Sequence, residues 1–440
     1  MSKEPLNAVG YLPDDTPPFG KMLVFALQQV IVMFPATVLV AILTGFDVGV
    51  TIVASGLATL GFLLITGRRI PLYYGSSFSY IAAVGGVSAI VAAETGNPVA
   101  GIQAAQTGII ASGLLSVAAG LLIKKGGPNI VKKVLPPSVT GAVAIIIGLS
   151  LASAAMSDAS NNWPIAIVTL IATILFSVYL RGTLGQLSVL FGVAAGYLFA
   201  LALGQVDFTP VVTAKLFAVP RFTLPAFNKY GLMAIGAIAP VAIATIPEST
   251  AHLLQIDLYV NNLAKRLGRK KEYKIAGLLG DNLIGDGIGD IIAGAIGGPA
   301  GTNYGENNSL MAITRNFSVP VLITAALIAI VMGFFGHVAG IVNTIPRAVI
   351  GGVSIYLFGV IGAQGAALMI SEKLDLFSAK NLAVVATILI IGLGGAAMPN
   401  GMIVIGNLEL PAIATAAIFG IVLNLVFELF PAKQDTSGNE

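Results

Sequence analysis

Uninterrupted apolar stretches of about 20 residues recur from one end of the chain to the other. A stretch of this length crosses a hydrocarbon layer of about 30 Å as one helix. Of the 440 residues, 56% are hydrophobic and only 10% are charged, whereas soluble domains carry about 25% charged residues. The sequence therefore predicts an all-α polytopic membrane protein whose main solvent is the lipid bilayer.

The composition also excludes several kinds of chemistry. Cys is absent, which excludes disulfides and thiolate metal sites. His252 and His337 are too far apart in the sequence to form a local metal-binding pair. The net charge of +3 is too small to indicate a nucleic-acid-binding face. We therefore expect no cofactor, no metal and no nucleic-acid partner.

The hydropathy pattern predicts fourteen membrane segments. We expect the protein in the inner (plasma) membrane, with both termini in the cytoplasm. Met1 to Gly20 lacks the features of a signal peptide and is expected to be a cytoplasmic tail. With this orientation, all of the 23 Lys and Arg except Lys215, Arg221, Lys229 and Arg347 lie inside, as the positive-inside rule requires. The predicted segments are 22–44, 49–66, 71–92, 101–123, 134–155, 163–180, 184–204, 230–250, 275–296, 302–315, 318–340, 346–366, 381–398 and 409–430.

The polar stretch from Val206 to Lys229 divides these segments into two halves of seven. Halves with an odd number of segments insert in opposite orientations, which gives an inverted repeat. The pattern Pro-x-x-Val-x-Gly-x-Val that begins at Pro136 recurs at Pro346. The pair Tyr74-Gly75 in the third segment likewise recurs as Tyr304-Gly305 in the tenth.

The third and tenth segments are unusual because small and polar residues precede their helical pattern. The third begins with Gly75-Ser76-Ser77-Phe78, and the tenth follows Gly297-Gly298-Pro299-Ala300-Gly301. These residues form poor helix interiors. Extended backbone at membrane depth occurs where protein or a cavity covers it, so paired breaks indicate a substrate site. The alternative is that both are ordinary loops between segments.

Glu248 and His252 are four residues apart, which places both on one face of a helix. An ionisable group inside a membrane costs several kcal/mol, so function is the first hypothesis for it. A carboxylate and an imidazole can exchange a proton, and this pair is a candidate for proton coupling. The alternative is a solvated pair at the cytoplasmic end of the eighth segment.

Glu306 follows the glycine-rich break and is expected near the start of a short half-helix, where backbone N–H groups are unpaired. A planar ring with alternating carbonyl and N–H groups would fit there. The carboxylates would accept from the ring N–H groups, and the amides of Phe78 or Gly305 would donate to its carbonyls. A capping role for the Glu306 carboxylate is compatible with this hypothesis.

Three further acidic residues, Asp281, Asp286 and Asp290, lie in or beside the ninth segment. They would line a cavity, bond the broken backbone, or lie nearer the membrane surface. Gly287-Ile288-Gly289-Asp290 matches the GxGD signature of intramembrane aspartyl proteases. That alternative lacks the second aspartate in a Tyr-Asp pair, which is absent from the sequence.

Taken together, these motifs resemble the nucleobase–ascorbate transporter (nucleobase:cation symporter-2) family, and within it the bacterial uracil permeases. The resemblance covers essentially the whole chain. Its most specific part is Tyr304-Gly305-Glu306-Asn307 followed by Met311-Ala312-Ile313-Thr314-Arg315. Other matches are Ala36-Thr37-Val38-Leu39-Val40, Gly75-Ser76-Ser77-Phe78, Glu248 with His252, Asp286-Gly287 and Gly351-Gly352-Val353-Ser354.

The resemblance implies a core domain and a gate domain, each built from both repeats, with short antiparallel strands in segments three and ten. It implies uracil binding by Glu248, Glu306 and the amides of Phe78 and Gly305, and proton coupling through Glu248, His252 and Glu306. It also implies a homodimer formed through the gate domain. The expected parts are a tail 1–21, core 22–133, gate 134–205, linker 206–229, core 230–340, gate 341–430 and a tail 431–440.

Three residues depart from the family pattern: Ser309 replaces a Gly, Gln28-Gln29 replaces Gln-His, and Asp290 replaces an uncharged residue. The expected function is import of a nucleobase, uracil, by proton symport. Ser309 lies one turn from Glu306, so a xanthine or purine permease is the first alternative. An anion transporter of the same fold is the second, although two carboxylates disfavour anions.

Overall fold

A computed structural model of the chain describes residues 10–127, 135–185, 187–398, 401–405 and 408–430. These residues are mostly helical, with two small antiparallel sheets. Within them, 9 helices are long and apolar enough to cross a membrane, and three apolar helices of 10–17 residues accompany them. The described chain thus has the architecture of a multi-pass membrane protein. The first nine residues of the predicted N-terminal tail and the whole tail 431–440 lie outside the described residues.

Each sheet has two strands, and short 3₁₀ turns at Phe78–Tyr80, Ala239–Val241 and Ile275–Leu278 precede three of the helices. The strands are β1 (Tyr74–Ser76), β2 (Gly301–Asn303), β3 (Met402–Ile405) and β4 (Leu408–Pro411). The main helices are α1 (Phe19–Thr44), α2 (Val48–Ile65), α3 (Ile81–Thr95), α4 (Pro98–Gly126), α5 (Pro137–Ser150), α6 (Ala152–Ser160), α7 (Trp163–Tyr179), α8 (Ser188–Ala202), α9 (Lys229–Ile238), α10 (Ala242–Arg266), α11 (Leu279–Ile296), α12 (Gly305–Thr314), α13 (Val319–Gly333), α14 (Gly336–Asn343), α15 (Arg347–Ser371), α16 (Ala379–Ala396) and α17 (Ala412–Leu429).

Local sequence sets many of the helix ends. Asp47 and Asn97 start α2 and α4 by accepting hydrogen bonds from backbone N–H groups of the first turn, at 2.9 and 3.0 Å. Pro98 lies in that first turn, where a missing N–H is harmless. Gly45 and Gly96 end α1 and α3 in the left-handed conformation, with φ of 78° and 66°. Polar capping residues thus set the starts of α2 and α4, and glycines set the ends of α1 and α3.

The helices pack in two groups. In the first group, which contains α1–α4 and α9–α13, α4 packs along α9 and α11, and α2 packs along α11 and α13. In the second group, which contains α5–α8 and α15–α17, α15 packs against α5, α6 and α7. The largest hydrophobic core joins α1, α2, α10 and α13, whereas a separate core joins α5, α16 and α17. Burial of apolar surface holds each group together, and smaller clusters that include Val40 with Phe358 and Leu39 with Val353 join the two groups.

Two cavities lie between the groups. One, of about 530 Å³, lies between α1 and α3 on one side and α5, α6, α15 and α17 on the other. The second, of about 510 Å³, is lined almost entirely by apolar side chains of α1, α8, α14 and α15. Asp158 and Arg347, which line the larger cavity, form an ion pair at 3.4 Å. The two helix groups are thus separated by a cavity at two different places along their boundary.

Strands interrupt the third and tenth predicted segments, as expected. β1 and β2 pair antiparallel, with Gly75 opposite Thr302. Helix α3 begins only at Ile81, after a 3₁₀ turn, and α12 begins at Gly305. The prediction of short antiparallel strands in these segments is confirmed. The alternative that both are ordinary loops is wrong, because their backbones pair with each other within the first helix group.

The eighth segment is longer than predicted. Its predicted end was residue 250, but α10 continues to Arg266. Glu248 and His252 therefore lie well before the end of this helix, and both are half-buried. Polar residues beyond 250 made the apolar pattern end early, yet they have partners within the helix and in the segment that follows it. Asp257, for example, accepts hydrogen bonds from Asn261 Nδ2 at 3.1 Å and from Ala276 N at 3.0 Å.

Residues 10–18, which we call the N-terminal strap, pack against the first helix group just before α1. The Tyr11 backbone bonds both sides of the turn that follows α12, with its N–H 2.9 Å from Arg315 O and its carbonyl 2.8 Å from Phe317 N. Leu12 is fully buried. Two acidic residues of the strap bind the loop between α10 and α11: Asp15 pairs with Arg269 and Asp14 with Lys271, both at 2.8 Å.

Removing the two strap carboxylates, Asp14→Asn with Asp15→Asn, should lower the melting temperature by about 1–2 °C at pH 7, since exposed and solvent-screened ion pairs contribute about 0.5–1 kcal/mol. Partial burial would raise the pKa of Asp14, but hydrogen bonds from Lys271 and Tyr273 outweigh it and hold the pKa below its usual value. A depressed pKa stabilises the fold fully above the unfolded value of about 4, so the difference should shrink as the pH falls below about 4 and vanish only below the depressed pKa.

Thermal unfolding of the purified protein at pH 7 and pH 3.5 measures this effect. Glu372→Gln, which neutralises an exposed acid at the end of α15, is the matched control. Equal melting temperatures for the double variant and the parent at pH 7 would show that the strap ion pairs contribute nothing.

Candidate substrate-binding site

Two carboxylates from distant parts of the chain approach each other in the first helix group. Glu248 lies within α10, and Glu306 is the second residue of α12. Glu248 is half-buried and Glu306 is exposed, and their charges are close enough to repel each other. His252 lies one helical turn after Glu248 and is also half-buried. The structure therefore brings together the three ionisable residues that the sequence singled out.

Two unpaired backbone amides lie at the ends of the paired strands. Phe78 follows β1, and Gly305 follows β2 and starts α12. Among the described hydrogen bonds, none uses the N–H of Phe78 or of Gly305. The side chain of Tyr304, which precedes α12, makes no capping hydrogen bond, so the Gly305 N–H keeps its capacity to donate. The two broken segments thus contribute one donor each, at opposite ends of the antiparallel sheet, and that of Gly305 immediately precedes Glu306.

The His252 ring packs directly against the start of α12. A Cβ at Gly305 would lie 2.9 Å from His252 Nε2, so the absence of a side chain at Gly305 leaves room for the ring. The ring also interacts with the backbone of Asn303 at the end of β2. Its Nδ1 is buried and has no hydrogen-bond partner among the described residues. The described contacts contain no direct hydrogen bond between His252 and Glu248.

Anchors to α1 hold the half-helix α12 in place. The Tyr304 hydroxyl lies 2.9 Å from Thr37 Oγ1, and the Tyr304 ring packs over Gly75, where a Cβ would lie 2.3 Å from it. Asn307 Nδ2 donates to the side-chain oxygen of Gln29 at 2.7 Å and to its carbonyl at 3.1 Å. These contacts on both sides of Glu306 fix the direction of its backbone.

A buried polar network lies behind the carboxylates, and sequence reasoning missed most of it. Ser249 donates to Asp286 Oδ2 and accepts from Asn282 Nδ2 at 2.7 Å and from Asn303 Nδ2 at 3.1 Å. Asp286 Oδ1 and Asn303 Oδ1 are buried without a partner in the described part of the chain. The available signal was the i, i+4 spacing of Asn282 and Asp286, which places both on one face of the helix.

The other two aspartates of the ninth segment have different surroundings. Asp281 forms ion pairs with Arg69 at 3.0 Å and Lys124 at 2.6 Å, so it lies near the end of its helix rather than at the candidate site. Asp290 is buried and accepts hydrogen bonds from the Tyr74 hydroxyl and from Gly301 N, the latter at 2.8 Å. Of the possibilities left open by the sequence, Asp281 takes the position nearer the surface and Asp290 bonds the broken backbone.

The candidate residues do not line the two cavities between the helix groups. Neither lining includes Glu248, Glu306, Phe78 or Gly305. Ser309, one turn after Glu306, is half-buried. The site is therefore a set of converging polar groups within the first helix group.

Comparison with known proteins decides the family. Residues 20–401 match the model of the Permease family. The chain belongs to this family. It is 40% identical to the uracil permease of Bacillus caldolyticus, with 94% of this chain and 93% of the relative covered. It is 39% identical to the uracil permease of Bacillus subtilis (strain 168), with 99% of both chains covered.

Among solved structures, the transmembrane domain of the cyanobacterial bicarbonate transporter BicA has the same fold, with a TM-score of 0.55 and 17% sequence identity. The match covers 92% of this chain and 96% of that domain. The resemblance to the nucleobase–ascorbate transporters is thus confirmed, and the chain is a multi-pass membrane transporter and not an enzyme. The intramembrane protease alternative drawn from Gly287 to Asp290 is wrong.

Proposed function

We propose that this permease imports a nucleobase, uracil, by proton symport, and that it binds the base between Glu248 and Glu306. The observation that carries the proposal is the approach of these two carboxylates to each other next to the β1–β2 sheet, whose strands lead to the unpaired amides of Phe78 and Gly305. Uracil presents two ring N–H groups and two carbonyls. Carboxylates accept from N–H groups, and backbone amides donate to carbonyls, so the site matches the base group by group.

The relatives support this choice of substrate, since the two Bacillus proteins described above are named uracil permeases. A xanthine or purine permease remains the nearest alternative, because half-buried Ser309 beside Glu306 departs from the family pattern. An anion transporter is supported only by the fold shared with a bicarbonate transporter. Two adjacent carboxylates disfavour an anionic substrate.

The proposed architecture is fourteen segments in two inverted repeats of seven. The nine long and three shorter apolar helices, together with α11 and α12, follow the order of the fourteen predicted segments. The first helix group would form the core domain (22–133 and 230–340) and the second the gate domain (134–205 and 341–430). In this proposal the protein is a homodimer in the inner membrane with both termini cytoplasmic, and the core domain moves against the gate domain.

For proton coupling, we assign Glu248, His252 and Glu306. Two carboxylates close enough to repel each other favour a state in which one holds a proton. His252 contacts the start of α12, so a change in its protonation would act directly beside Glu306. Binding of the base and of a proton would thus be coupled within one site.

Uptake of radiolabelled uracil into proteoliposomes tests the proposal. An inside-alkaline pH gradient should raise accumulation about 10-fold per pH unit if one proton moves with each base, because the gradient supplies a tenfold concentration ratio per unit. A gradient of the opposite sign serves as the control. Accumulation that is insensitive to the gradient would contradict proton symport. Competition by xanthine, hypoxanthine and bicarbonate against labelled uracil separates the two alternative substrate classes.

A further inference from the structure

The β1–β2 sheet has two outer edges whose backbone groups need partners, because no water is available at membrane depth. Helix α2 satisfies the β1 edge. The Tyr74 carbonyl accepts from Ser55 Oγ at 2.9 Å and from Thr59 Oγ1 at 3.0 Å, and Tyr74 N donates to Thr59 Oγ1 at 3.1 Å. Hydroxyl groups of one neighbouring helix therefore replace a third strand on this side.

Asp290 of α11 satisfies the β2 edge. Its Oδ1 accepts from Gly301 N at 2.8 Å, and the same oxygen accepts from the Tyr74 hydroxyl. Asp290 is only 2% exposed, so no solvent competes for these bonds. A single carboxylate oxygen thus joins α11 to β2 through the backbone and to β1 through a side chain.

The Tyr74 ring has little freedom in this arrangement. A Cβ at Gly289 would lie 2.7 Å from the ring, and a Cβ at Gly301 would lie 2.6 Å from it. The ring is therefore packed between the backbones of α11 and β2. Its hydroxyl is held at Asp290, and a change at Asp290 would be transmitted to β1 by a rigid side chain.

Both strands end at the proposed base-binding amides. The sheet continues on one side through Ser77 N to Ala300 O at 3.0 Å, immediately before Phe78. On the other side it continues through Tyr304 N to Tyr73 O at 2.9 Å, immediately before Gly305. A shift of one strand against the other would therefore change the separation of the two amide donors.

We infer that Asp290 is a positioning residue that sets the relative placement of the Phe78 and Gly305 amides, and thereby the affinity for the base, without touching it. The inference rests on the proposed function for the ligand, but its geometry involves only this chain. The Asp290 oxygen acts as a hydrogen-bond acceptor shared by the two strands. Its role is thus distinct from that of the carboxylates that face the base.

Four variants separate this role from others. Asp290→Leu removes the acceptor and should weaken uracil binding about 10-fold or more, as expected when buried donors lose their partner. Asp290→Asn keeps an acceptor oxygen and should stay within about 3-fold of the parent. Tyr74→Phe removes one donor and should weaken binding about 3- to 10-fold. In the double variant Tyr74→Phe/Asp290→Leu, binding should be no weaker than in Asp290→Leu, because both changes break the same link.

Uracil Kd is measured by equilibrium binding to purified protein, and hydrogen exchange of the peptide around residues 298–306 is measured without ligand. Exchange there should rise in Asp290→Leu and remain near the parent in Asp290→Asn. Tyr259→Phe, which removes a hydroxyl bonded to Gln255 on α10, is the matched control and should change neither quantity.

Parent-like affinity in Tyr74→Phe and Asp290→Leu would overturn the inference. An affinity in Asp290→Asn as poor as in Asp290→Leu would also overturn it, because it would make the charge or a bound proton the cause. If Asp290→Leu does not fold, the uracil affinities of Tyr74→Phe and Asp290→Asn still test the inference. If the parent fails to bind uracil, the proposed function fails, whereas the exchange measurements still report whether Asp290 holds the strands.

Discussion

Glu306→Gln should weaken uracil binding by about 10- to 100-fold and reduce uptake accordingly. The carboxylate accepts hydrogen bonds on both oxygens, whereas an amide presents one acceptor and one NH₂ donor. A hydrogen bond to a charged group contributes about 1.5–3 kcal/mol, and about 1.4 kcal/mol corresponds to a tenfold change in affinity. The unchanged anchors of α12, Tyr304 and Asn307, should keep the half-helix in place, so the loss reports on recognition.

The matched control is Glu94→Gln, the same chemical change at an exposed position near the end of α3. Equilibrium binding of labelled uracil and a competition panel of bases provide the measurement. Because the amide replaces one acceptor oxygen with an NH₂ donor, weaker competition by uracil, with a shift toward bases that present a carbonyl at this position, is the expected pattern. Parent-like uracil affinity in Glu306→Gln would remove Glu306 from the proposed site.

His252→Ala should abolish uracil accumulation driven by a pH gradient, with a loss of about 10-fold or more, while equilibrium binding stays within about 3-fold of the parent. A side chain positioned to transfer a proton typically raises the rate of the step it assists by about 100-fold or more. The His252 ring is in such a position, because it lies one helical turn from Glu248 and packs against Gly305. Removing it eliminates the only imidazole described at the site without removing a proposed base-binding group.

Three measurements separate coupling from simple damage. His252→Gln keeps a side chain beside Gly305 but cannot titrate, so it should behave as His252→Ala does in gradient-driven uptake. His337→Ala changes the chain's other histidine, on α14, and should leave accumulation intact. Uracil counterflow without a gradient should persist in both His252 variants. Normal gradient-driven accumulation in His252→Ala would assign proton coupling to the carboxylates alone.

The broken segments were predictable because their cause is local. Gly75 with the two serines that follow it, and the run from Gly297 to Gly301 that includes Pro299, form poor helix interiors, and the strands β1 and β2 form at these breaks. The start of α12 beside Glu306 was predictable for the same reason. The extension of α10 to Arg266 was not, because the partners that satisfy Asp257 include Ala276, beyond the helix itself.

The contacts behind the site were also beyond the sequence. Ser249 is next to Glu248, yet its bonds to Asn282 and Asn303 depend on α10, α11 and β2 meeting in space. The strap shows the same limit. A tail with acidic and proline residues gives no local sign that Leu12 is buried or that Asp15 pairs with Arg269.

By itself the sequence determined that this chain spans a membrane many times and where two of its segments must break. Both follow from effects summed over neighbouring residues: the transfer of about 20 apolar residues into hydrocarbon, and the poor helix formation of a short run that combines glycines with a proline or with serines. Only the tertiary structure decided that Glu248 approaches Glu306, that Asp281 pairs with Arg69 and Lys124, and that Asp290 bonds both strands. The surroundings of these four acidic residues depend on which helices pack together, because their partners come from parts of the chain far away in the sequence.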